Sequence, residues 1–216
     1  MPHPPEIHQG QQALEVGRSL DAADRAVVLM HGRGGSAAGI LALAEAFQRP
    51  DFAYLAPQAR GNTWYPYRFL APFEQNEPYL SSALRVLDDV LSDLQGRGIP
   101  LERIMLGGFS QGACLVAEYA ARRAQRYGGI FVLSGALMGP DGTPREYEGD
   151  LMGTPVFLGC SDQDFHIPLE RVKESTVVFQ SMGADVTERI YPGMGHTVND
   201  DEIAHIVRMM DAIGAR

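Results

Sequence analysis

Ile104–Ala121 reads IMLGGFSQGACLVAEYAA, two apolar segments on either side of a glycine-flanked serine. Ile104–Phe109 is an apolar run of the kind that forms a strand buried on both faces, as in a parallel sheet. Gln111–Arg123 reads as the helix that follows. Between them, Gly108-Phe109-Ser110-Gln111-Gly112 fits G-x-S-x-G. In a strand-to-helix turn this pattern lifts a serine hydroxyl above the sheet. Glycines are needed because a Cβ at either position would strike the neighbouring strand or helix. The helix N-terminus behind the serine favours negative charge developing there. The bare pentapeptide says little; the flanking strand and helix carry the reading. Outside that context the serine would only cap a helix.

On either side of this segment, strand and helix patterns alternate. Ala26–Met30 is a strand ending at His31-Gly32-Arg33-Gly34-Gly35. Ser36 caps a helix carrying Ile40, Leu41, Leu43, Ala44 and Phe47, which Pro50 stops. Phe52–Ala56 is the second central strand. Gln58–Pro78 is a long loop rich in aromatics, with Trp64, Tyr65, Tyr67, Phe69 and Phe73. Loops of that length in compact domains usually serve function. Leu80–Leu94 repeats its apolar residues at helical spacing. Gly129–Leu133, Pro155–Cys160 and Val186–Tyr191 are further strands. Met138–Gly153 is a polar loop, and Pro168–Met182 and Asp200–Ile213 are helices. Gln12–Val16 adds an antiparallel edge strand. The β-then-α order implies one doubly wound, mostly parallel α/β sheet with helices on both faces and no large cap domain. No linker divides the chain, so a single domain over 1–216 is expected.

Composition limits the partners. The net charge of −9 repels polyanions and argues against nucleic acid. Cys114 and Cys160 lie in a helix and at a strand end, and read as buried thiols rather than a bridge. MPHPPEIHQG at the start has neither an apolar core nor a basic segment, so no secretory signal is expected. No apolar run approaches the ~20 residues that span a bilayer. A cytoplasmic protein with no membrane partner is the default, and homodimer formation stays open.

Ligands of such sheets bind at the carboxyl ends of the strands, where the reactive residues also fall. A serine nucleophile needs a base, and in this type of site the order is Ser, then Asp or Glu, then His. Of the histidines after Ser110, His205 lies inside the last helix and His166 follows too closely on the acidic residues. His196, in Gly193-Met194-Gly195-His196 directly after a strand, is the candidate base. Two acids stand in Cys160-Ser161-Asp162-Gln163-Asp164. Asp164 is favoured to orient the imidazole, with Asp162 bracing the turn. The Gln111 amide supplies one oxyanion donor, and the Arg33 amide in the glycine-rich loop is the best second. HGRGGS lacks the GxxxxGK[ST] pattern of a phosphate loop. Trp64, Tyr65 and Arg68 are candidate substrate-binding residues. Trp64 and Phe69 also have a plain packing reading, and Arg33, Arg60 and Arg68 could meet an acidic group on the substrate. No cofactor or metal is implied.

LMHGRGG, GGFSQGA, GCSDQDFHIP and YPGMGH together resemble the phospholipase/carboxylesterase family of α/β-hydrolases, which includes bacterial carboxylesterases and acyl-protein thioesterases. The resemblance runs from about Val27 to the C-terminus. It implies an α/β-hydrolase fold, Ser110 as nucleophile, Asp164 as acid, His196 as base, and Arg33 and Gln111 as oxyanion donors. The thioesterases for lipidated proteins usually carry a longer insert with a Trp-Phe-Asp segment. Here that region reads Gly61-Asn62-Thr63-Trp64-Tyr65, and Arg33 replaces the Leu common in their HGLG loop. Both departures point to a carboxylesterase for short- to medium-chain esters, with a small-molecule ester or thioester as substrate. A thioesterase or lysophospholipase-like hydrolase is the alternative. A lactonase of the dienelactone-hydrolase type typically uses Cys where Ser110 stands. A non-catalytic binding module would commonly lack one of the three residues.

Overall fold

The computed structural model describes residues 6–214. Seven strands form one sheet: β1 Leu14–Gly17, β2 Ala26–Met30, β3 Ala53–Ala56, β4 Ile104–Phe109, β5 Gly129–Leu133, β6 Pro155–Ser161 and β7 Asp185–Tyr191. Their spatial order is β1-β3-β2-β4-β5-β6-β7. β1 pairs antiparallel with β3, and the remaining neighbours are parallel.

The helices are α1 Ala37–Ile40, α2 Ala42–Phe47, α3 Phe73–Asn76, α4 Tyr79–Gly96, α5 Gln111–Arg122, α6 Leu169–Ser181 and α7 Asp200–Ala212. Strand side chains alternate between faces, and β2 shows the consequence. Val28 and Met30 join the core under α4, α5 and α6, while Val27 and Leu29 join the core under α1, α2 and α7. Every residue of β2 is buried, which explains its lack of polar alternation. The architecture is that of an α/β-hydrolase fold.

Two local expectations need correction. The helix after Ser36 is split into α1 and α2, which share Leu41 as a boundary. Ser36 does cap α1, its hydroxyl accepting the Gly39 N–H. α2 ends not at Pro50 but at Gln48, which takes a left-handed conformation (φ 52°). The stretch 58–78 is also less loop-like than its composition suggests: a 3-10 turn at Arg60–Asn62 and α3 interrupt it. Met138–Gly153 is irregular but anchored, because the buried Glu118 of α5 accepts the Met138 N–H and the Tyr147 hydroxyl. No described helix is long and apolar enough to cross a membrane. Cys114 and Cys160 are both free and buried.

Candidate active site

Ser110 follows β4 and caps the start of α5 with φ 56° and ψ −118°. For a non-glycine residue this backbone is strained, by about 1–3 kcal/mol. The crowding around it explains the glycines. A Cβ on Gly108 would lie 2.6 Å from the Gly112 carbonyl carbon, and one on Gly112 would lie 2.1 Å from the Met30 oxygen. Both obstacles are backbone, so neither can yield cheaply. The turn is closed by the Ser110 N–H donating to Leu133 O at 2.9 Å.

The loop after β7 brings His196 over the serine, with Nε2 2.9 Å from Ser110 Oγ. The loop after β6 brings Asp164 behind it, with Oδ2 2.7 Å from His196 Nδ1. An ionised carboxylate only accepts, so Nδ1 carries the proton and Nε2 presents its lone pair to the hydroxyl. Burial works to raise the Asp164 carboxyl, but hydrogen bonds from His196 and from the His166 and Ile167 amides outweigh it and hold it below the usual carboxylate range. Asp162 points elsewhere, its Oδ1 accepting the Gly193 N–H at 2.8 Å. That bond ties the β6 loop to the loop carrying His196.

The glycine-rich loop approaches from the other side. A Cβ on Gly32 would lie 3.3 Å from Ser110 Cβ, so Arg33 follows directly on the residue that abuts the serine. Gln111 opens α5, where helix N–H groups have no partner within the helix. Its side chain acts separately from its amide. Oε1 accepts the Trp64 N–H at 2.9 Å, and Nε2 donates to Tyr65 O at 2.8 Å. The turn at Ser110 is thereby fastened to the aromatic loop. Arg33 fastens the glycine-rich loop to the same aromatic loop, donating to Thr63 Oγ1, Pro66 O and Tyr67 O.

A cavity of about 530 Å³ opens over Ser110, walled by Tyr65, Tyr67, Arg68 and Phe69 on one side and His166 and Ile167 on the other. Trp64 is not among its walls. It is fully buried, and its indole N–H donates to His31 O at 2.9 Å. The substrate-binding expectation for Trp64 is therefore corrected: the large ring packs beneath the loop, where its one donor finds a partner. Arg60 also lies outside the cavity lining. Four contributors have no signal of their own in the sequence. His166 follows closely on the acids, yet its ring centroid lies 4.7 Å from that of His196. Phe109 packs its ring 4.9 Å from His196. Cys114 and Ile167 line the cavity because α5 and the β6 loop face it. His205 stacks on Phe157 at 4.5 Å, away from the site. Among the described residues, no three His, Cys, Asp or Glu side chains gather to hold a metal.

This arrangement has relatives. The sequence profile of the phospholipase/carboxylesterase family matches residues 11–213. A solved phospholipase/carboxylesterase from Dyadobacter fermentans is 41% identical, covers 96% of this chain and 99% of its own, and superposes with a TM-score of 0.90. The solved esterase PE8 is 26% identical over 94% of this chain and 99% of its own, with a TM-score of 0.78. Among curated proteins, acyl-protein thioesterase 1 of Kluyveromyces lactis is 29% identical over 92% of this chain and 96% of its own. The chain belongs to the phospholipase/carboxylesterase family of α/β-hydrolases and is a carboxylic ester hydrolase.

Proposed function

We propose that this protein is a serine carboxylesterase that hydrolyses short- to medium-chain carboxylic esters through a Ser110 acyl-enzyme. The unbroken hydrogen-bond chain from Ser110 through His196 to Asp164, at 2.9 and 2.7 Å, carries this function. His196 Nε2 takes the Ser110 proton as Oγ attacks the ester carbonyl. The Arg33 and Gln111 amides hold the oxyanion. The proton passes to the leaving alcohol, and the C–O bond to it breaks. Water, activated by the same imidazole, then attacks the acyl-enzyme and releases the acid. Residues 1–216 act as one domain on a small-molecule ester, in the cytoplasm.

A thioester substrate is the second reading, favoured by the likeness to an acyl-protein thioesterase. The same nucleophile and oxyanion donors serve both bonds. The first test is a fluorophosphonate probe and a p-nitrophenyl ester on wild type and Ser110→Ala. We expect the probe to label Ser110 alone, and the variant to lose on the order of 10⁶ in kcat while keeping its circular-dichroism spectrum. Near-wild-type turnover in the variant would remove the basis of this function.

A further inference from the structure

The cavity over Ser110 is charged against the sign of the chain. The chain carries −9, yet among the described residues the cavity is lined by Arg33 and Arg68 and by no Asp or Glu. The two arginines differ. The Arg33 guanidinium is already engaged by the Thr63 hydroxyl and the Pro66 and Tyr67 carbonyls. Arg68 makes no ion pair among the described residues, and its Nη2 stands 3.4 Å from His166 O. At that distance a hydrogen bond is weak.

The backbone under Arg68 is nonetheless held. The buried Asn76 of α3 accepts the Tyr67 N–H at 2.9 Å and donates to Arg68 O at 3.2 Å. A fixed backbone thus presents a guanidinium to the cavity with no internal counter-ion. The rest of the lining is mostly apolar, with Tyr65, Phe69, Phe109 and Ile167. A planar fork of N–H donors matches a carboxylate. One uncommitted guanidinium, on an exposed residue at the edge of mostly apolar walls, suits a single negative charge better than the double charge of a phosphate.

We propose that the preferred substrates are carboxylate-bearing esters, with Arg68 as the residue that selects them by binding the anionic group while the scissile carbonyl faces Ser110. This rests on the Ser110 esterase function above.

The test uses two matched pairs of esters. Ethyl hydrogen glutarate against ethyl pentanoate places the charge on the acyl side. 4-Acetoxybenzoate against phenyl acetate places it on the leaving side. Acid release is followed by pH-stat, and the readout is the ratio of kcat/KM for the anionic member to that for the neutral one. In at least one pair, Arg68→Gln should lower this ratio about tenfold, the size of one charge-assisted bond at a partly wet site. Arg68→Glu should lower it further, and Arg68→Lys should keep part of it. A ratio unmoved by Gln and Glu in both pairs would overturn the proposal, as would equal losses for charged and neutral esters, which mark a structural role. If wild type hydrolyses none of the four esters while fluorophosphonate still labels Ser110, the carboxylate proposal is overturned; if the probe does not label Ser110 either, the Ser110 function itself fails.

Discussion

Asp162 and Asp164 stand two positions apart, yet their surroundings divide their roles. The Asp164 side chain is fully buried beside His196, with its other oxygen taking the His166 and Ile167 amides. Asp162 is exposed and holds Gly193. Asp164→Asn should cost on the order of 10³–10⁴ in kcat, because an amide facing Nδ1 favours the wrong imidazole tautomer. Asp162→Ala should instead lower stability by about 1 kcal/mol, read as a shift in Tm, and change kcat only a few-fold. The reverse pattern would exchange the two roles. That Ser110, Asp164 and His196 come together could be read from the sequence because each is a reactive type at a strand end and their order in the chain is restrictive. Trp64 could not be placed this way. Aromatic composition says that a loop packs its rings, but which ring faces the substrate depends on the turn at Arg60–Asn62. His166 escapes a sequence reading for a related reason: its approach to His196 depends on how the chain folds back between Asp164 and α6.

At the scale of elements, the start of α7 holds an unusual carboxyl. Asn199 and Glu202 form a reciprocal capping box, a pattern that stabilises helix starts. Glu202 is also fully buried, and its Oε1 has no hydrogen-bond partner among the described residues. A Cβ on Gly159 of β6 would lie 2.1 Å from that oxygen, so the strand admits the carboxyl only because it has a glycine there. Burial pushes the Glu202 carboxyl up from 4.5 to about 7, against the Asn199 N–H bond that lowers it. With the folded pKa above the unfolded one, the folded state retains the proton between them. The stability from the protonated carboxyl is therefore present in acid and lost as pH rises through about 7. Chemical denaturation should show wild-type stability falling across that window, by up to about 3 kcal/mol. Glu202→Gln should abolish the slope, and an unchanged slope would clear this carboxyl of it. Asp164 acts in the opposite sense, because its lowered pKa supplies stability that is lost only in stronger acid. The strands buried on both faces, β2 and β4, were legible as continuous apolar runs. The break between α1 and α2 was not, because apolar spacing continues through Leu41 while the backbone turns.

For the molecule as a whole, the alternation of strands and helices implied a doubly wound sheet, but not which strand lies beside which. That order, with β1 and β7 at the edges, depends on contacts distant in sequence. The small cavity sets the expected substrate size. Each buried CH₂ adds about 0.8 kcal/mol only while a wall remains to cover it. Beyond the walls of the cavity of about 530 Å³, further acyl carbons meet water. In a p-nitrophenyl ester series, kcat/KM should peak at roughly C2–C8 and decline after it. A steady rise through C16 would return a lipid thioesterase to first place. Arg33 links this size limit to the reaction centre. Its backbone follows the glycine against Ser110, and its guanidinium grips the wall at Pro66 and Tyr67. Appetite and speed are therefore tied to one residue. A redesign that recuts the wall at Pro66 and Tyr67 also loosens the ground beside the nucleophile, so a diet broadened there should come with a slower turnover.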